Sequence, residues 1–146
     1  MGLTREPISV RPLRDGAVPQ VVVHDLAQAR GALAAAAACG ARIELRSARD
    51  AAGYAGVGYL QGLGELAGQE LVIDCGEDPG LVMAALRTGC RKLAFAGGGE
   101  LFQRLAEMAA QAGAELVQGS RSPTLVLAPD DDAAHACRAW LRQRQA

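Results

Sequence analysis

The sequence predicts a single parallel α/β domain, doubly wound, and three observations carry that reading. Its 146 residues suffice for one core of their own. Short apolar runs at Val21–Val23, Leu71–Asp74 and Leu93–Ala96 alternate with alanine-rich segments of helical length. Glycine recurs at matching places, in Ala-Ala-Cys-Gly-Ala before the second strand, Leu-Arg-Thr-Gly-Cys before the fourth and Ala-Gln-Ala-Gly-Ala before the fifth. About five βα units follow from this alternation. Strands apolar on both faces belong in a sheet covered by helices on both sides. Ligands of such sheets sit beyond the carboxyl ends of the strands.

The elements follow in order over a single domain of residues 1–146. Residues 1–19 read as an arm, or as part of a hairpin in which Ile8–Leu13 and Val18–Val23 flank the turn Arg14-Asp15-Gly16. Pro7, Pro12 and Pro19 suit only an edge strand there. Val21–Val23 is the first firm strand, and Asp25 caps a helix over Leu26–Cys39 that stops at Gly40. Arg42–Arg46 alternates charged and apolar residues, which marks a less buried strand at an edge. Asp50–Gly68 holds six glycines and both tyrosines, and reads either as a helix from Val57 or as a Gly53–Gly58 loop carrying Tyr54 over the strand ends. Leu71–Asp74 is the third strand. Asp78 and Pro79 open a helix running to Thr88, where Gly89 stops it. Leu93–Ala96, the turn Gly97–Gly99, a helix over Glu100–Gln111 and a strand over Glu115–Val117 complete the regular part. Beyond Ser120-Arg121-Ser122-Pro123, Leu125–Leu127 forms a sixth strand, and three acids at Asp130–Asp132 suit the positive end of a C-terminal helix spanning 130–146.

Composition excludes several classes. Half the residues are apolar, so a packed globule is expected, and the net charge of −1 supplies no field for nucleic acid or an anionic membrane. No apolar run approaches the roughly 20 residues of a membrane helix, and no secretory signal opens the chain, so a cytoplasmic protein is expected. Cys39, Cys75, Cys90 and Cys137 share no zinc-type spacing, with only His24 and His135 to assist. They read as reduced thiols, and no metal site is expected. No motif names a cofactor.

The candidate site follows from the strand ends. Gly97, Gly98 and Gly99 precede a helix, where inward-turned amides favour an anion. Ser47, Asp25 and Asp78 stand at the ends of other strands and complete the expected ligand-binding rim. Asp74 can act as a base, and Cys75, just before a helix, as a nucleophile if His24 on the first strand serves as its partner. Glycines at Gly58 and Gly62 flank Tyr59 and leave a flat groove through which two copies can pair.

The glycine-punctuated βα units place the chain with flavodoxin-like and Rossmann-like folds, although Phe102 stands where a dinucleotide fingerprint needs its third glycine. Asp25 and Asp74 resemble part of the acidic pocket of response-regulator receivers, but Gln118 and Gly119 stand where that family has its lysine. The stretch VIDCGEDPGLVMAALRTGCRKLAFAGG resembles pieces of TIM-barrel aldolases, a likeness covering about a third of the chain. It implies a half-barrel of TIM type that dimerises as the alternative fold. The aldolase chemistry is absent, because the single lysine, Lys92, precedes its strand rather than following it.

The expected function is therefore non-catalytic binding of a small anionic ligand or a protein partner at the strand carboxyl ends. A small enzyme using Asp74 and Cys75, with a degenerate aldolase-like relationship, is the alternative.

Overall fold

The computed structural model describes residues 18–119 and 122–145. The expected strand Ile8–Leu13 and the residues Ser120 and Arg121 lie outside them. The chain runs β1 (Gln20–Val23), α1 (Leu26–Ala38), β2 (Glu44–Ser47), α2 (Ala51–Tyr54), α3 (Val57–Ala67), β3 (Ile73–Asp74), α4 (Pro79–Thr88), β4 (Lys92–Phe95), α5 (Gly99–Gln111), β5 (Glu115–Gln118), β6 (Thr124–Val126) and α6 (Ala133–Gln145). Boundaries match the sequence reading to within a few residues because the local signals are real. Asp25 accepts the Gln28 amide at the start of α1, and Asp78 accepts the Gly80 amide at the start of α4. Asp132 accepts the His135 amide where α6 begins, three residues later than the first acid, Asp130, suggests. The repeated glycines Gly40, Gly89 and Gly113 all take positive φ, which lets each helix turn sharply into the next strand.

Of the two expectations for the Gly-rich segment, the helix from Val57 forms, and a short helix takes the place of the Gly53–Gly58 loop. Ala51–Tyr54 forms one helical turn, Gly56 reverses direction at φ 90°, and α3 begins at Val57. No open loop carries Tyr54; it projects from the short helix at 75% exposure.

All strand pairs are parallel, in two three-stranded ladders, β2-β1-β6 and β3-β4-β5. A bridge between Arg46 and Val72 joins them, with the Ser47 amide donating to the Val72 carbonyl and the Val72 amide to the Leu45 carbonyl. The strand neighbours are thus β6-β1-β2-β3-β4-β5. This corrects two expectations. The strand β2 is interior, not an edge, and from β1 to β5 every crossover steps in one direction. Right-handed crossovers taken in one direction put their helices on one face. The helices indeed neighbour one another in the same order, α6 on α1, α1 on α3, α3 on α4 and α4 on α5. A double winding needs helices on both faces, and among the described residues every helix adds its buried side chains to one cluster.

That cluster takes alternate strand residues: Val21 and Val23, Leu45, Leu71 and Ile73, Leu93 and Phe95, Leu116 and Leu127. The intervening residues, Val22, Val72 and Ala94, are also buried yet stand outside it, on the face that none of the helices among the described residues covers. The sheet is also bent. Strands β5 and β6 are five inter-strand spacings apart, about 24 Å if flat. The six chain steps from Gln118 to Thr124 reach about 22 Å at most, before any of that reach is used along the strand direction. Helices pack about 8–10 Å apart and strands about 4.8 Å, so the helix layer takes the outer, longer arc. No helix among the described residues is long and apolar enough to cross a membrane.

Candidate functional site

Because all strands are parallel, Asp25, Ser47, Asp74 and Gly97 stand at one rim. The Ala96 amide donates to the Gly76 carbonyl at 2.7 Å, tying the loop after β3 to the turn after β4. Arg49 comes to the same place: its Nε lies 3.9 Å from where a side chain on Gly76 would begin. The turn itself is accessible, with Gly98 and Gly99 exposed. Gly98 has extended backbone at φ −125°, whereas Gly99 has φ 67°, so the left-handed residue is Gly99. No side chain caps α5, which leaves its first amides open at the positive end of a 13-residue helix. Glu100 stands in that first turn as a counter-charge.

The catalytic candidates are occupied otherwise. Cys75 is 1% exposed and belongs to the helix-facing core. Burial and then the neighbouring Asp74 carboxylate push its thiol up to about 12, so it stays protonated and non-nucleophilic at neutral pH. His24 is not its base, since β2 separates β1 from β3. The His24 ring instead donates from Nε2 to the Leu127 carbonyl at 2.6 Å, and its amide donates to Gln28 Oε1. Asp25 and Asp78 cap their helices, and the buried Ser47 hydroxyl accepts the Asp74 amide at 2.9 Å.

Asp74 anchors a polar network that the sequence reading missed. Its Oδ2 accepts from Arg46 Nη2 at 2.9 Å, and its Oδ1 accepts the Gly76 amide at 2.9 Å. Arg46 Nη1 donates to Gln20 Oε1 at 3.2 Å, Gln20 Nε2 donates to Glu44 Oε1 at 2.9 Å, and Glu44 Oε2 lies 3.7 Å from Lys92 Nζ. These residues occupy the face opposite the described helices and cross it from the amino to the carboxyl ends of the strands. The alternation of Arg42–Arg46 was the available signal, since period two puts Glu44 and Arg46 on one face with Gln20 and Asp74. Both carboxylate oxygens of Asp74 are satisfied and Arg46 neutralises it, so the pair holds the rim rather than transferring protons.

Two further glutamines tie distant segments. Gln28 Nε2 donates to the Ala128 carbonyl at 2.7 Å, and Gln69 brackets β2 by accepting the Leu45 amide and donating to the Ile43 carbonyl. Among the described residues no three His, Cys, Asp or Glu side chains gather with metal-site geometry. The Gly58 and Gly62 positions are open, beside Tyr59 at 53% and Leu66 at 66% exposure. No family model, curated protein or solved structure matches this chain.

Proposed function

We propose that the protein is a non-catalytic module that binds a small anion at the carboxyl rim of an open, singly wound parallel barrel. The half-barrel reading rests on the progressive strand order, which a flavodoxin-like sheet does not have. The observation that carries the binding reading is the contact from the Ala96 amide to the Gly76 carbonyl. It ties the Gly76 loop, which Arg49 approaches, to the strand end that leads through the accessible glycine turn into the uncapped start of α5. Burial of Cys75 and the engaged state of His24 and Asp74 favour this module over the small enzyme. The attraction comes from amide dipoles and one arginine, so binding is modest and weakened by salt, over a screening length of about 8–10 Å.

Calorimetric titration with inorganic phosphate and with a nucleoside monophosphate tests the reading. Gly99→Val is expected to abolish binding, because a β-branched residue resists φ 67°. Arg49→Ala is expected to weaken it, and Glu100→Gln to strengthen it by removing a like charge. Binding unchanged in Gly99→Val would reduce the segment to a structural turn. Self-association through Gly58, Tyr59 and Gly62 is a second proposal, supported by the open glycines and the exposed Tyr54, Tyr59 and Leu66. Light scattering is expected to show a dimer that Gly62→Leu weakens, and a wild type that stays monomeric at high concentration ends that idea.

A further inference from the structure

The opposite rim, at the amino ends of the strands, carries a second concavity. A cleft of about 340 Å³ opens there between the end of α1 and the starts of β2 and β4. That volume falls within the roughly 300–1,000 Å³ of small-molecule pockets. Its apolar side is built from Leu33, Ala36, Ala37 and Ile43, with Ala36 and Ile43 themselves buried. Its polar side holds two cations, Arg42 and Lys92, against one carboxylate, Glu44.

The bonding of these groups decides what the cleft can take. Among the described residues Arg42 makes no hydrogen bond or ion pair, and it is exposed. Lys92 Nζ is 3.7 Å from Glu44 Oε2, too far for a short hydrogen bond, while the other oxygen of Glu44 is engaged by Gln20. Gln69, also in the lining, has both amide atoms committed to β2. The cleft therefore presents one net positive charge with spare donors, next to an apolar wall. A neighbouring cleft of about 390 Å³ has Glu65, Glu70 and Arg91 among helix-end glycines and lacks such a wall.

We propose that the 340 Å³ cleft binds a small aliphatic monocarboxylate. Its carboxylate sits between Arg42 and Lys92, and its hydrocarbon chain lies on Leu33, Ala36, Ala37 and Ile43. The charge fixes the head group, and burial of the chain supplies affinity in proportion to its apolar area. This site is separate from the glycine turn, at the other end of the strands, so the two proposals stand or fall independently.

Lys92 is the only lysine of the chain, which provides a single-site readout. The intact protein is treated with an amine-acetylating reagent at pH 8, and mass spectrometry follows acetylation of the Lys92 peptide. Octanoate is expected to slow labelling about tenfold at saturation, whereas acetate and octyltrimethylammonium leave it unchanged. Arg42→Gln, an exposed position that leaves the core intact, is expected to raise the half-protecting octanoate concentration about tenfold, equivalent to about 1.4 kcal/mol. Absent protection, equal protection by acetate or by the cationic amphiphile, or an unchanged half-point in Arg42→Gln would each overturn the assignment.

Discussion

One face of the parallel sheet buries Leu45, Ile73, Leu93 and Phe95 against a layer of helices, while the other holds buried Arg46 and half-buried Asp74 as a hydrogen-bonded ion pair. The two faces belong to the same strands and alternate residue by residue. On the helix-covered face the stabilisation is non-directional and scales with area, so it tolerates isosteric replacement. On the other face burial is costly unless each charge has its partner in place, and geometry decides the outcome. The chain thus relies on packing on one side and on pairing on the other.

Removing one member of the pair breaks that comparison most severely. Asp74→Ala leaves Arg46, whose side chain is 8% exposed, without its counter-charge, and is expected to cost about 3–5 kcal/mol in urea unfolding. Replacing both together, Arg46→Met with Asp74→Leu, is expected to cost less than the single change, because no unpaired charge remains. A double variant as unstable as Asp74→Ala would show that the pair does more than neutralise itself. On the opposite face Leu93→Ala is expected to cost about 2–5 kcal/mol, and no second substitution would rescue it by charge.

The thiols of the helix-covered face sharpen the contrast through pH. Burial raises Cys75 from 9.0 to about 12 and Cys137 to about 11, and it raises Cys90 as well. The folded state keeps these protons while the unfolded chain releases them above its ordinary value. The stabilising contribution is complete below pH 9.0 and is lost as pH rises through the folded values. Urea midpoints are therefore expected to fall steadily from pH 9.0 toward pH 11, and a Cys75→Ala variant to show a shallower fall. A flat profile would mean that water reaches these thiols in the native state.

The smallest expected effect is local. Asp25→Ala removes the acceptor for the Gln28 amide at the start of α1 and is expected to cost about 1 kcal/mol. Thermal melts would register it as a shift of a few degrees, with the network on the other face unchanged.

How much of this was legible beforehand depends on sequence distance. Caps and stops act within one helical turn, so Asp25, Asp78, Gly89 and Gly113 announced their elements without any tertiary information. The apolar runs located the strands, and the parallel arrangement of the sheet followed from their alternation with helices. The glycine turn and Asp74 follow neighbouring parallel strands, which end on the same side. Strand order was not legible, since nothing within β2 reports which strands lie beside it. An alternating pattern such as Arg42–Arg46 reads as an exposed edge unless Asp74, 28 residues further on, is known to meet Arg46. For the same reason Gln28 gave no sign of its bond to Ala128, 100 residues away. Sequence period tells which side chains share a face, because the backbone alternates regardless of context. What covers that face, and whether a charge on it is solvated or paired, is settled only when distant segments are brought together.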